Sequence, residues 1–187
     1  FLDPILKGKY PVINSPYFDR TYGKPPIKEG DMKIISTPID FLGVNYYSRN
    51  LVKAGKDRDE LEARELKTPR ARYTDLGWEV YPQGILDLLI RLKKEYNGIP
   101  LYVTENGASY PDKMVNGKIH DDKRIDYLRT HFQKAAAAIQ EGVPLKGYYV
   151  WSLMDNMEWG FGYSKHFGLI HVNRKTQKRT WKDSAHF

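Results

Sequence analysis

A carboxylate that directly follows an apolar run and precedes a glycine is the feature of this 187-residue chain that most directly suggests chemistry: Leu101-Tyr102-Val103-Thr104-Glu105-Asn106-Gly107. If the run is a strand of a parallel α/β sheet or barrel, Glu105 sits at the C-terminal edge, where active sites are assembled. A carboxylate there has an ordinary alternative, pairing with a surface cation, so its company decides. Part of that company is Trp151-Ser152-Leu153-Met154-Asp155-Asn156-Met157-Glu158-Trp159, followed by Gly160-Phe161-Gly162-Tyr163 and Phe167-Gly168-Leu169. Indole rings pack on the apolar face of a pyranose while a carboxylate accepts bonds from its hydroxyls. These tryptophans could instead plug the top of a barrel, and Asp155 and Asn156 suit the capping of a turn. A third segment, Phe41-Leu42-Gly43-Val44-Asn45-Tyr46-Tyr47-Ser48, brings an amide and two phenols. A phenol that donates to a carboxylate lowers the pKa of that carboxylate and fixes its orientation. Side chains alternate along a strand, so only one of Tyr46 and Tyr47 should face the site, and Tyr47 shares the parity of Asn45.

The elements that must position these groups are legible as short apolar runs and amphipathic stretches. Ile39 to Tyr46, Pro100 to Thr104 and Lys146 to Leu153 read as buried strands bounded by turn residues. A helix is expected after Pro82, with Ile85, Leu88, Leu89 and Leu92 on one stripe and a stop near Asn97-Gly98 before Pro100. A second is expected from Asp121-Asp122, burying Ile125, Leu128, Phe132, Ala135 and Ile139 and ending at Gly142 before Pro144. On that stripe His131 is a boundary residue, and Ala135 to Ala138 marks close helix packing. The alternation of strand and helix predicts βαβ units in a parallel sheet. The charged segment from Arg49 to Glu79 exceeds a usual connection and reads as an insertion, functional or mobile. Three such units cannot close an eight-stranded barrel, so either other strands come from elsewhere or the sheet is small and open.

Composition narrows the classes. With 41% hydrophobic and 13% aromatic residues the chain has the apolar content of a globular domain. Its +7 charge is spread along the sequence, densest at Arg174, Lys175, Lys178, Arg179 and Lys182, which predicts a solvated surface and no nucleic-acid partner. Without cysteine there is no disulfide, thiolate metal site or Cys nucleophile. No run reaches the roughly 18 apolar residues of a membrane span. Phe1-Leu2-Asp3-Pro4 has neither an initiating Met nor the form of a signal peptide, so a cytoplasmic protein whose chain begins mid-sequence is expected, without a membrane partner. The five histidines lack the spacing of zinc sites, so neither a metal nor another cofactor is expected.

Taken in order from Phe1-Leu2-Asp3-Pro4-Ile5 to Lys182-Asp183-Ser184-Ala185, the motifs resemble glycoside hydrolase family 1, the β-glucosidase type of retaining β-glycosidase. The resemblance implies that residues 1–187 are the C-terminal portion of a single (β/α)8 TIM-barrel catalytic domain, strands six to eight with their helices. Residues 49–79 would be a long loop insertion after the first of these strands. It implies Glu105 as the nucleophile that forms a glycosyl-enzyme ester and Tyr47 as its hydrogen-bonding partner. Asn45, Trp151, Glu158, Trp159 and Phe167 match substrate-binding positions: Trp151 as the platform beneath the sugar, Glu158 and Trp159 at its hydroxyls, Phe167 lining the pocket. Retention needs two carboxyl groups about 5 to 5.5 Å apart. A local reading would pair Glu105 with Glu158, whereas the resemblance places the acid/base in an Asn-Glu-Pro motif on an earlier strand, and no such motif occurs here. The expectation is therefore retaining hydrolysis of a β-glucoside or oligosaccharide, with the remaining N-terminal barrel strands as partner and this segment inactive alone. A carbohydrate-binding or inactive homologue is the alternative. Met157 and His166 depart from the family pattern beside the pocket, and Glu158 would repel a sugar 6-phosphate, so Lys165 is not expected to be a phosphate clamp.

Overall fold

The computed structural model describes residues 2–10, 23, 26–54 and 63–187. The chain divides into two compact units. The first, Phe1–Asp40 with Val52–Glu65, contains the short helices α1 (Leu2–Lys7) and α2 (Asp31–Ile35). It also takes in most of a two-stranded sheet, β2 (Leu51–Ala54) with β3 (Ala63–Leu66). The expected insertion at 49–79 thus has strands of its own, and its stretch 55–62 lies outside the described residues. From Leu66 onward the same segment belongs to the second unit, Phe41–Leu51 with Leu66–Phe187, which carries every candidate site residue.

The second unit is built on a three-stranded parallel sheet in the order β1 (Leu42–Asn45), β4 (Leu101–Asn106), β7 (Leu145–Val150). The strands are the three expected, with shifted ends. β4 runs on through Glu105 to Asn106, whereas β7 stops at Val150 where Trp151-Ser152 turns away through a cis peptide. Helix α3 (Gln83–Glu95) connects β1 to β4, and α4 (Asp122–Gln140) connects β4 to β7. α3 ends where Asn97 and Gly98 take φ of 53° and 67°, a left-handed pair that no helix can continue through. Its buried residues are Ile85, Leu89 and Leu92, three of the four on the expected stripe, with Leu88 half-buried.

In α4 the buried face is rotated from the expected one. Arg124, Tyr127, Leu128, His131, Ala135 and Ala138 point inward, while Ile139 is 52% exposed. His131 is a core residue with no solvent exposure, contrary to its expected boundary position. The reason is chemical: the inward stripe shares Leu128 and Ala135 with the expected one but also carries polar groups with buried partners, which hydropathy periodicity does not place inward. Leu101 and Val103 of β4 pack on the helix side, as do Val44 and Tyr46 of β1. The opposite face is open: Asn45 and Thr104 are exposed, and Phe41 and Tyr149 are 52% and 59% exposed. Among the described residues β1 and β7 each pair along one edge only.

Short hairpins complete the unit. β5 (Met114–Val115) and β6 (Lys118–Ile119) are joined by Asn116-Gly117, both at positive φ, the pairing that a two-residue hairpin turn demands. β8 (Ile170–Val172) pairs antiparallel with β9 (Arg179–Trp181). No described helix is long and apolar enough to cross a membrane.

The buried imidazole makes stability pH-dependent. His131 Nδ1 lies 2.7 Å from the Tyr127 carbonyl oxygen and must carry the proton, leaving Nε2 without a partner. Burial lowers the His131 pKa from 6.5 to about 4, opposed by the bond to the Tyr127 carbonyl and aided by the charge of Arg72. Between these values the unfolded chain binds the extra proton. Stability is therefore fully present above pH 6.5 and declines as pH falls toward 4, by on the order of 3 kcal/mol from this group. Urea unfolding of His131→Leu at pH 7 and pH 4.5 should give a smaller drop than wild type; an equal drop would contradict the assignment.

Candidate active site

The ends of β1 and β4 bring the first pair of predicted residues together. Asn45 and Glu105 are register partners, and the Tyr46 N–H donates to the Glu105 carbonyl at 2.9 Å. One residue further on, the Tyr47 phenol donates to Glu105 Oε2 at 2.6 Å. Tyr46 points the other way, as alternation requires, donating to the Tyr81 carbonyl at 2.6 Å against Gly84, where a Cβ would strike its hydroxyl. Burial pushes the Tyr47 phenol up, and the bond to Glu105 with the charges of Glu105 and Glu158 pushes it further, so it stays a donor. The Asn45 amide oxygen accepts from the Thr104 hydroxyl at 2.7 Å, which orients its NH2 group.

Aromatic rings wall this pair. Tyr47 packs against Phe167 with centroids 6.1 Å apart and against Trp78 at 5.3 Å, and Trp78 meets Phe167 at 6.1 Å. Phe167 is buried, Trp151 and Glu158 are half-buried, and Trp159 projects at 85% exposure from the turn after β7. Trp159 is not gathered into the Tyr47–Phe167–Trp78 cluster. Trp78 is a site residue that sequence reasoning passed over, because it lies in a stretch without strand periodicity. Its place is held from below: Arg49 grips Glu79 through two bonds of 2.9 and 3.1 Å and covers the Tyr81 ring at 3.6 Å. The bond from Arg49 keeps the Glu79 carboxyl below its usual range.

The loops after β4 and β7 are fastened by buried charge. Asp155 accepts from Lys182 Nζ at 2.9 Å and from the Gly168 N–H at 2.9 Å, and its other oxygen faces His166 Nδ1 at 3.2 Å and His171 Nδ1 at 3.1 Å. Lys182 also binds Asp112 at 2.5 Å, and Asp112 accepts from Arg124 at 3.2 Å. Arg124 further binds Asp121 and donates to the carbonyls of Ala108 and His166 at 3.2 and 2.6 Å. Burial alone pushes the Asp155 carboxyl up; the bond from His166 and the charge and bond of Lys182 outweigh it and hold the group well below the carboxylate range. Asp155, His166 and His171 are also grouped closely enough to ligate a cation, a cluster that their sequence spacing did not announce. The Lys182 ammonium already supplies a positive charge to that carboxylate. Asn156 caps the turn, its NH2 donating to Ser152 Oγ and the Met154 carbonyl, both at 3.1 Å. Lys165 is occupied by Asp75 at 2.9 Å.

The sequence model described as Glycosyl hydrolase family 1 matches residues 1–187. The chain belongs to glycosyl hydrolase family 1. It is 48% identical over its whole length to Beta-glucosidase A of Thermotoga maritima, covering 41% of that protein. Among solved structures it is similar to a β-glucosidase from Exiguobacterium marinum, with a TM-score of 0.93 and 43% identity over 100% of this chain and 42% of that one. A β-glucosidase from Thermotoga maritima in complex with deoxynojirimycin matches with a TM-score of 0.88 at 45% identity, over 98% of this chain and 41% of the other. The chain thus spans about two fifths of the length of the family 1 proteins it matches, and its fold is a corresponding part of their TIM barrel.

The family 1 site loops should depend on the Asp155 charge. Asp155→Asn leaves Lys182 half-compensated in the interior and should lower the unfolding free energy by about 3–5 kcal/mol near neutral pH. Because the Asp155 pKa is depressed in the fold, its contribution is present above the ordinary value of 3.8 and lost as pH falls below it, so the gap to wild type should close in acid. Chemical denaturation checks both points; a loss under about 1 kcal/mol would refute the strut.

Proposed function

We propose that the complete protein carrying this segment hydrolyses β-glucosides and related β-glycosides with retention of configuration, through a covalent ester on Glu105. The observation that carries this is the 2.6 Å bond from the Tyr47 phenol to Glu105 Oε2. It pins one carboxylate oxygen and leaves Oε1 to attack the anomeric carbon. As the ester C–O bond forms, the bond to the aglycone oxygen breaks, and that oxygen takes a proton from a second carboxyl group. The same group, then ionised, draws a proton from water, which attacks the ester and frees the sugar and Glu105.

In this proposal the second carboxyl group lies outside the segment, on one of the remaining N-terminal strands, and β1, β4 and β7 are barrel strands six, seven and eight. Those missing strands would pair with the free edges of β1 and β7 and cover the open face that bears Asn45 and Thr104. The substrate is a β-glucoside or oligosaccharide. Its glycone would stack on Trp151, give hydroxyl protons to Glu158, bond Asn45 and the Trp159 indole N–H, and rest against Phe167. The Glu158 carboxylate disfavours a 6-phosphorylated sugar by charge. The segment by itself is expected to be inactive.

Glu105→Gln in the complete protein should abolish hydrolysis of an aryl β-glucoside, a loss of at least 1,000-fold on the order of what removal of a nucleophile causes. A dinitrophenyl 2-fluoro glucoside should leave a covalent adduct that peptide mass spectrometry maps to Glu105. Undiminished turnover, or no adduct, would overturn the proposal; sugar binding with neither would identify a carbohydrate-binding homologue.

A further inference from the structure

Behind the Tyr47–Glu105 pair, on the helix side of the sheet, lies a connected set of largely buried polar groups. Tyr127 and Asn106 have no exposed surface. The Tyr127 phenol donates to the Tyr47 carbonyl at 2.8 Å and accepts from Asn106 Nδ2 at 3.1 Å. Asn106 Nδ2 gives its second proton to the Tyr46 carbonyl at 2.7 Å, and Asn106 Oδ1 accepts from the Tyr148 phenol at 2.6 Å. The Asn106 carbonyl accepts from the Trp151 N–H at 2.9 Å.

The direction of every bond in this set is fixed. A carbonyl oxygen can only accept, so the Asn106 NH2 must face Tyr46, and its Oδ1 must take the Tyr148 proton. The Tyr127 hydroxyl has one proton, which the Tyr47 carbonyl requires, so it can only accept from Asn106. Burial pushes both the Tyr127 and Tyr148 phenols up, which keeps them protonated. The Tyr127 ring cannot swing away, being stacked on His131 at a centroid distance of 3.9 Å. Tyr127 is thus a rigid post on α4 that holds the residue bearing the phenol and, through Asn106, the residue next to Glu105.

We propose that Tyr127 is a positioning residue of this site: its hydroxyl, shared between the Tyr47 carbonyl and the Asn106 amide, sets the distance and angle at which the Tyr47 phenol meets Glu105. This rests on the reading of Glu105 as nucleophile. A 0.5–1 Å displacement of a reacting group costs roughly 10- to 100-fold in rate. Tyr127→Phe removes one oxygen and leaves two polar groups unpaired, loosening Tyr47 without touching the sugar pocket.

The test uses the complete protein and four forms: wild type, Tyr127→Phe, Tyr47→Phe and the double variant. The dinitrophenyl leaving group needs no acid, so the trapping rate with the 2-fluoro glucoside reads the nucleophilic step alone. Tyr127→Phe should slow trapping and kcat about 10-fold with KM within about twofold of wild type, and in the Tyr47→Phe background it should cost less than about twofold. A merely structural strut would cost the same in both backgrounds, and that additivity, or an unchanged rate in Tyr127→Phe, would overturn the inference. Failure of the nucleophile reading is separate: wild type would then carry no adduct on Glu105. If thermal melts show that Tyr127→Phe does not fold, Tyr148→Phe replaces it. It frees the Asn106 amide from the other end and should show the same non-additivity with Tyr47→Phe.

Discussion

The carboxylate of Asp155 meets Lys182, His166, His171 and the Gly168 N–H inside the protein, and the connections that carry Glu158 and Phe167 are pinned by that meeting. An isolated buried carboxylate is costly enough to protonate or to unfold its surroundings, whereas one with four donors is held ionised. Lys182 carries the connection to Asp112, and Arg124 carries it on to Asp121, to Ala108 and to the carbonyl of His166, the neighbour of Phe167. Asp121 closes the chain on Ser184 through 2.8 and 2.5 Å bonds. The long connections after β4 and after β7 are thereby fixed to α4 by ions of opposite sign. Such a network contributes little net stability against an apolar replacement, yet it defines one arrangement, because a partial rearrangement strands a charge.

Close backbone approach is the second constraint, and it explains the glycines of the two motifs. A Cβ on Gly107 would collide with the carbonyl oxygen of Trp151, and one on Gly168 with the backbone of Met154 and Asp155. The residue after Asn106 must therefore be bare for the ends of β4 and β7 to touch, and this contact brings Trp151 beside the strand that carries Glu105. The Thr-Glu-Asn-Gly sequence is in this sense one device: Thr104 orients Asn45, Glu105 takes the Tyr47 phenol, Asn106 ties three strand ends, and Gly107 allows the approach.

The strands and the two long helices were legible in the sequence because they follow from local pattern, apolar runs and stop signals; alternation along β1 put only one of Tyr46 and Tyr47 at the site, and the resemblance to family 1 named Tyr47 as the partner of Glu105. The inward face of α4 was not so legible. Arg124, Tyr127 and His131 occupy it, so the residues that organise the site look like surface residues to any hydropathy rule, and Ile139 looks like core. Tyr127 reaches Tyr47 across 80 residues of sequence and Lys165 reaches Asp75 across 90, separations over which spacing carries no information. Trp78 was hidden differently, sitting in an aperiodic stretch and identifiable only by the rings it meets. His166 drew notice as a departure from the family pattern, but its partners Asp155 and His171 emerged only from the fold.

The two faces of the sheet divide the work. On the helix side Leu101, Val103, Tyr127 and Asn106 are fully buried, and among the described residues every buried side-chain polar atom but His131 Nε2 has a hydrogen-bond partner. On the other side Thr104, Asn45 and Tyr149 remain open. On the proposed reading of Glu105, the nucleophile and its phenol are oriented wholly from the first side, by groups this segment contains. The acid that must protonate the leaving oxygen would come from strands joining at the second. Orientation of the attacking oxygen and supply of the proton are then separable in structure: damage on the α4 side should change how Glu105 attacks, and damage on the open side should change whether the leaving group departs. A leaving group that needs no proton distinguishes the two, because its rate depends on the α4 side alone.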